Sequence, residues 1–171
     1  MKKLIMLAFI GSFLTINNLD IYGATDYPGS VSGGAAGGSG GAAVTRYCDP
    51  GHFVKWIVGR GGNVVDKLKF ICDDGTSLGE FGPSTGGQDE TAPSDYGFDS
   101  LKVTSVKAMG IPKLVGQVVP NAKGGYGFQT TIGSGIGDNA ETTTLSCPSG
   151  RIVGVTVRSG AWIDGLEIFC K

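Results

Sequence analysis

The chain has 171 residues, a formal net charge of −1 at pH 7 and 31 glycines. A nearly neutral chain argues against nucleic acid or an anionic membrane surface as the partner, because such partners bind strongly basic surfaces. The many glycines, together with few apolar runs at helical spacing, favour an all-β fold rich in turns.

The first 23 residues have the pattern of a secretory signal peptide. Lys2 and Lys3 precede an apolar run over residues 4–16, which is too short for a membrane span. Removing this segment takes out both lysines and Asp20, so the formal charge becomes −2. We therefore predict a secreted, extracellular protein without membrane insertion, whose remaining ~148 residues are enough for one domain.

Residues 24–44 form a segment rich in glycine, alanine and serine. A flexible linker is one interpretation of this composition. The alternative is that the segment supplies a strand to a sheet built by the end of the chain. We place the folded domain itself at residues 45–171.

The first patterned stretch, residues 48–72, predicts a β-hairpin. Apolar residues alternate on both sides of a glycine-rich turn at residues 59–62, and glycine supplies the positive φ that tight turns need. Trp56 is expected in the core. A short strand and then a polar loop over residues 82–97 are expected to follow.

The middle of the chain, residues 98–132, contains three predicted strands separated by turns rich in glycine and proline. These strands fit a degenerate unit that lacks cysteines. Residues 133–146 are expected to form a second polar loop.

The last stretch, residues 147–170, repeats the plan of residues 48–72. Each copy opens with a cysteine, turns on glycine, places an aspartate four residues after that glycine, and closes on a cysteine. The offset between the copies falls from 99 to 98 residues, and we place the one-residue loss in the turn. With the middle unit, the repeat predicts three pseudo-equivalent sheets around one core. The aligned pairs are Gly62 with Gly160, Asp66 with Asp164, Leu68 with Leu166, and Cys72 with Cys170.

Four cysteines in a secreted chain indicate two disulfides, for which three pairings exist. We expect Cys48 to pair with Cys72 and Cys147 with Cys170, each bridge closing one hairpin and stabilising the fold by about 3 kcal/mol. A bridge between Cys48 and Cys170 would instead join the first and third units. Neither a metal nor another cofactor is expected, because there is no CxxC motif and His52 is the only histidine.

Both hairpins resemble the jacalin-related lectins. The motifs that carry the likeness are GRIVGVTVRSGAWIDGLEIF at residues 150–169 and VVDKLKFICDDG at residues 64–75. The likeness extends over residues 45–171 and implies a β-prism of three Greek-key-like four-stranded sheets with pseudo-threefold symmetry. The paired cysteines and the CPSG sequence that begins at Cys147 are more similar to vitelline membrane outer layer proteins, which share a prism fold.

The resemblance also implies sugar binding, without a metal, at loops of the pattern GxxxD. In such a loop the aspartate accepts hydrogen bonds from sugar hydroxyls, backbone N–H groups donate, and an aromatic side chain packs against the ring. In the alternative interpretation, each aspartate only accepts hydrogen bonds from its own turn. The residues expected to bind sugar are Gly160, Ala161, Trp162 and Asp164 in the last hairpin, and Gly62 and Asp66 in the first. By the same resemblance, residues 37–41 form a second wall of the pocket and residues 124–126 a neighbouring recognition loop.

These features favour a lectin for neutral hexoses, with mannose or glucose ahead of galactose-type glycans; homo-oligomer formation stays open. The alternative is a structural component of an extracellular coat or matrix with the same fold. We do not expect an enzyme, because the single histidine and the oxidised cysteines leave no pair of nucleophile and base.

Overall fold

The computed structural model describes residues 26–83, 88–93, 100–106, 110–117, 129–132, 140–148 and 150–171. Within these ranges the chain forms β-strands and no helix, which confirms the prediction of an all-β fold. None of the described segments, accordingly, is a helix long and apolar enough to cross a membrane. The predicted signal peptide and the recognition loop expected at residues 124–126 lie outside the described residues. In chain order the strands are β1 (Val31–Gly37), β2 (Ala42–Tyr47), β3 (Val54–Gly61), β4 (Val65–Cys72), β5 (Ser77–Phe81), β6 (Gln88–Pro93), β7 (Ser100–Val106), β8 (Gly110–Gln117), β9 (Gln129–Ile132), β10 (Glu141–Ser146), β11 (Ile152–Ser159) and β12 (Ile163–Cys170).

The strands form three four-stranded antiparallel sheets. The terminal sheet has the order β1-β12-β11-β2, the first-hairpin sheet β5-β4-β3-β6, and the middle sheet β10-β7-β8-β9. The segment rich in glycine, alanine and serine thus supplies two strands, β1 and β2, to the sheet that the end of the chain builds. A flexible linker does not describe these strands. The predicted domain start at residue 45 falls inside β2.

The two cysteine-bounded hairpins have the same register. Arg60 pairs with Lys67 across β3 and β4, and Arg158 pairs with Gly165 across β11 and β12. Each hairpin also has one irregularity directly after this pair and another at the far end of its strands. The repeat seen in the sequence is therefore a repeat of strand pairing, down to the position of the bulges.

The same register corrects the position of the one-residue difference between the copies. Val54 pairs with Cys72 and Ile152 pairs with Cys170, so the offset of 98 already holds at the first residue of each hairpin. The loss lies between Gly51 and Val54, before the strand, and our placement in the turn was wrong. A connecting loop tolerates a deletion, whereas a deletion in the turn would change the register of the pairing.

Two of the strands lie in segments that we predicted as polar loops. Strand β6 is within residues 82–97 and β10 is within residues 133–146, and each is an edge strand of its sheet. An edge strand is held by hydrogen bonds to one neighbour and needs little apolar surface. Their sequences, QDETAP and ETTTLS, therefore lack the alternation that reveals a half-buried strand.

Apolar side chains from all three sheets pack into one core. Fully buried examples are Phe70 on β4, Leu101 on β7 and Ile163 on β12. Trp56 is not in this core, contrary to our prediction: it is half-buried and packs beneath the Lys55 ammonium, whose Nζ lies 4.8 Å from the ring centroid. The bulge at the start of β3 shifts the alternation, so that Ile57 points inward instead.

The disulfides pair as predicted, Cys48 with Cys72 and Cys147 with Cys170. Neither disulfide, however, merely joins the two ends of one hairpin, as we had expected. Cys48 directly follows β2 of the terminal sheet, while Cys72 ends β4 of the first-hairpin sheet. Cys147 likewise follows β10 of the middle sheet, while Cys170 ends β12 of the terminal sheet. Each disulfide therefore ties one sheet to the next.

Candidate functional site

The turn between β11 and β12 presents the GxxxD residues of the last hairpin. The Gly160 N–H donates to the Trp162 carbonyl oxygen at 3.0 Å, which closes the turn. Ile163 is fully buried and anchors the turn in the core, while Trp162 leaves 36% of its surface exposed. Burial of one residue thus holds its neighbours, Trp162 and Asp164, at the surface.

The loop that joins β1 to β2, residues 38–41, packs directly against this turn. The Gly38 N–H donates to the Asp164 carbonyl oxygen at 2.8 Å. A side chain at Gly40 would place Cβ 3.0 Å from Asp164 Oδ1, and one at Gly41 would place it 2.6 Å from Asp164 Oδ2. Gly41 also has a φ of +64° and would meet the backbone of Ser159. Only glycine lets the loop come this close to the carboxylate.

The Asp164 carboxylate has no hydrogen bond or ion pair within the part of the chain that the structure describes. This geometry contradicts the interpretation that Asp164 satisfies its own turn, because the Gly160 N–H bonds to Trp162 instead. The backbone N–H groups of Ala161 and Trp162 likewise make no backbone hydrogen bond to a described residue. Two carboxylate acceptors and two backbone donors therefore lie together at the surface.

The first hairpin carries a similar turn with different side chains. The Gly62 N–H donates to the Val64 carbonyl oxygen at 2.9 Å, as Gly160 does to Trp162. Gly82, with a φ of +88°, lies close to the Asp66 carbonyl oxygen. Gly37 lies in the same way close to the Asp164 carbonyl oxygen. Val64 stands where the last hairpin has Trp162, and the rest of the loop, residues 84–87, lies outside the described residues.

The structure thus brings Gly160, Ala161, Trp162 and Asp164 together with the glycine loop, whereas Gly62 and Asp66 form a separate turn. Residues 38–41 include most of the segment for which the family resemblance implied a pocket wall. Composition alone had favoured a linker equally, because a glycine-rich run gives no periodic signal.

The outer face of the terminal sheet, below this site, carries an aromatic pair. The rings of Tyr47 and Phe169 lie 5.0 Å apart, and Tyr47 covers Gly154, where a Cβ would strike the ring. The pKa of Tyr47 is raised above its ordinary value, chiefly because the ring is buried and also because the Glu167 and Asp26 carboxylates are nearby. A hydrogen bond to Ser30 lowers the pKa and offsets part of this rise. The phenol is therefore neutral at pH 7.

No protein-family model matches the sequence, and no curated protein matches it. The fold does match solved structures. Wild-type Malaysian banana lectin matches with a TM-score of 0.63 at 17% identity, over 84% of this chain and 99% of that one. Artocarpin in its complex with mannotriose matches with a TM-score of 0.63 at 18% identity, over 83% and 97%. A mannose-specific jacalin-related lectin from Morus nigra, in complex with mannose, matches with a TM-score of 0.59 at 20% identity, over 83% and 94%.

The banana and Morus nigra structures are named as lectins, and a second structure of artocarpin is named as a lectin with mannose specificity. At identities of 20% or less, the similarity concerns the fold. The chain therefore has the all-β fold of the jacalin-related lectins, as the resemblance of its two hairpins predicted.

Proposed function

We propose that the protein is a secreted lectin that binds a neutral hexose, such as mannose or glucose, between the glycine loop (residues 38–41) and the turn of residues 160–164. The observation that carries the proposal is the Asp164 carboxylate, which lies against glycine backbone without a partner among the described residues. A carboxylate placed in this way is ready to accept hydrogen bonds from two adjacent hydroxyl groups.

The remaining contacts of the sugar come from the turn. The N–H groups of Ala161 and Trp162 donate to sugar oxygens, and the exposed ring of Trp162 packs against an apolar face of the hexose. No metal is needed, because the protein itself supplies both acceptors and donors. A single site of this kind has weak affinity, with a Kd around 1 mM or about −4 kcal/mol. Several sites on one glycan-bearing surface would raise the avidity.

The matched structures support this proposal, because artocarpin and the Morus nigra lectin were solved with mannotriose and mannose bound. We extend it in two ways. Gly62 and Asp66 form a second, weaker sugar site, which lacks an aromatic residue at the position of Val64. The three sheets are the faces of a β-prism with pseudo-threefold symmetry, so that the two turns occupy equivalent places.

Titration with methyl α-mannoside, followed by calorimetry or NMR in the presence of EDTA, tests the proposal. The wild-type protein should bind in the millimolar range with the chelator present, and Asp164→Ala should lose the stronger site. Asp66→Ala is the matched control, since it removes the equivalent carboxylate and should leave the stronger site intact. A folded protein that binds no mannose, glucose or galactose glycan would overturn the proposal.

The second candidate function is a structural role in an extracellular coat or matrix. The disulfides favour it, because each ties one sheet to the next and so suits a protein that must persist outside the cell. Extraction separates the two candidates. Free mannose should release a lectin from its matrix, whereas a coat component should resist free sugar and be released by a reducing agent.

A further inference from the structure

The two disulfides differ in their access to solvent. Cys48 and Cys72 are fully buried, whereas Cys147 and Cys170 leave 4% and 6% of their surfaces exposed. Both cysteines of this second bridge line a surface cleft of about 240 Å³. The cleft lies at the end of β12 opposite the turn that carries Asp164. A cleft of this volume holds several water molecules, so a small solute can reach the second bridge and not the first.

The edge strands beside the two bridges are anchored differently. β1 lies beside β12, which ends at Cys170, and β5 lies in the equivalent place beside β4, which ends at Cys72. β5 buries Leu78 and Phe81 in the core. β1, which is described over its whole length, has no buried residue and packs against the core through the small side chain of Ala36. Because few buried apolar contacts hold β1, we expect it to open locally at a lower free-energy cost than β5.

β1 is also irregular where it passes over the second bridge. Its register on β12 is interrupted between Ser32 and Ala35. Gly33, inside this bulge, lies against the disulfide, because a side chain there would place its Cβ 2.5 Å from Cys170 Sγ. The next residue, Gly34, has a φ of +107°. The second bridge is therefore covered on this side by glycine backbone at a break in the strand pairing.

We propose that the Cys147–Cys170 disulfide is a site of thiol–disulfide exchange with small thiols, whereas Cys48–Cys72 is a structural bridge. The thiolate of a small thiol attacks one sulfur of the bridge and forms a mixed disulfide, and the other cysteine leaves as a thiolate. A second small thiolate then attacks the mixed disulfide, which releases the small thiol as its own disulfide and the remaining cysteine as a thiolate. The two small thiols thus supply the two electrons, and the protons that they lose are taken up by the two cysteines.

Exchange at this bridge cuts one of the two covalent ties between sheets. Cys147 follows β10 of the middle sheet and Cys170 ends β12 of the terminal sheet, so reduction unties these two sheets from each other. The tie between the terminal sheet and the first-hairpin sheet, through Cys48 and Cys72, remains. The inference goes beyond the proposed function and does not depend on sugar binding, because the Asp164 turn lies at the other end of β12.

The test follows the reduction of each bridge in the folded protein. The protein is incubated with reduced glutathione without denaturant, free thiols are alkylated at intervals, and mass spectrometry of the peptides identifies the modified cysteines. Cys147 and Cys170 should be alkylated at least about tenfold faster than Cys48 and Cys72, with a transient glutathione adduct on one of the faster pair. In denaturant the two rates should become similar, because access no longer differs.

Two variants test whether the edge strands control this access. Gly33→Ala should displace β1 and speed the reduction of Cys147–Cys170, since its Cβ would strike Cys170 Sγ. Leu78→Ala is the matched change in the other sheet, and it should speed the reduction of Cys48–Cys72 by weakening the anchor of β5. Circular dichroism confirms that each variant is folded before its rates are compared.

The wild-type protein alone decides the main point. If glutathione reduces both bridges at the same rate, or Cys48–Cys72 first, the proposal is wrong. It is equally wrong if neither bridge is reduced before the protein unfolds. An unchanged rate in folded Gly33→Ala would contradict the role given to β1. None of these results bears on the lectin proposal, which is tested by binding of methyl α-mannoside.

Discussion

The two cysteine-bounded hairpins share a backbone and differ in what they present to solvent. Both close their turn with a hydrogen bond from glycine to the carbonyl oxygen two residues on, and both bury the residue before the aspartate, Val65 or Ile163. At the surface, however, the side chains differ. The first hairpin has Val64 at the position of Trp162 in the last hairpin, and Lys67 at the position of Gly165. The repeat therefore preserves the residues that shape the turn and varies those that would meet a ligand.

The first prediction concerns the feature that both hairpins share, their disulfides. Replacing either cysteine pair by alanine should lower the free energy of unfolding by about 3 kcal/mol, because the closed loops have nearly equal lengths, with separations of 24 and 23 residues. Binding of methyl α-mannoside should persist, since Cys170 and the turn lie at opposite ends of β12. Chemical denaturation of both double variants measures the effect. A loss confined to one pair would mean that the two hairpins are not equivalent in stability.

The second prediction tests the glycine loop that packs against Asp164. Gly41→Ala should weaken sugar binding at least tenfold, or about 1.4 kcal/mol, because its Cβ would strike both Ser159 and the Asp164 carboxylate. The matched control is Gly51→Ala: Gly51 also has a positive φ, +99°, but a Cβ there meets nothing within 4 Å. Unchanged affinity in Gly41→Ala would show that the loop is not a wall of the site.

The third prediction exchanges the aromatic residue that distinguishes the two turns. Trp162→Val should weaken binding at the Asp164 site by about 1 kcal/mol, because the face of the sugar loses its aromatic partner. Val64→Trp should strengthen binding at the Asp66 site by a similar amount. Site-resolved NMR titration of both variants measures the two affinities separately. If neither exchange alters the affinity for sugar, Trp162 does not pack against the bound hexose.

The smallest effect is expected for the ion pair that fills the surface of the first-hairpin sheet. Lys67 and Glu80 are partly exposed, with side-chain exposures of 23% and 53%, and such pairs contribute less than about 1 kcal/mol. A double-mutant cycle of Lys67→Ala and Glu80→Gln should therefore give a coupling energy below about 1 kcal/mol. A coupling energy of twice that size would show that the ion pair contributes substantially to the stability of the fold.

The sequence predicted the parts of the fold that have a periodic signal. Apolar alternation around glycine turns identified both hairpins, and the spacing of the cysteines suggested the pairing that the structure has. The edge strands β6 and β10 were missed, because a strand that pairs on one side only needs no apolar face. Trp56 was misplaced, since a bulge reverses the alternation and leaves no local mark in the residue pattern.

The site was predictable in part for a similar reason. The motif indicated Asp164 and Trp162, whereas the partners of Asp164 across the sheet lie more than a hundred residues earlier in the chain. Only the pairing of β1 with β12 brings Gly38 to the Asp164 carbonyl oxygen.

A crystal structure with methyl α-mannoside bound tests sugar binding at Asp164 most directly. We predict that the hexose lies at the end of the terminal sheet, with two adjacent hydroxyl groups about 2.5–3.0 Å from the Asp164 carboxylate oxygens and the ring beside Trp162. A mannoside bound elsewhere on the protein, with the Asp164 carboxylate making no contact to it, would contradict sugar binding at this turn.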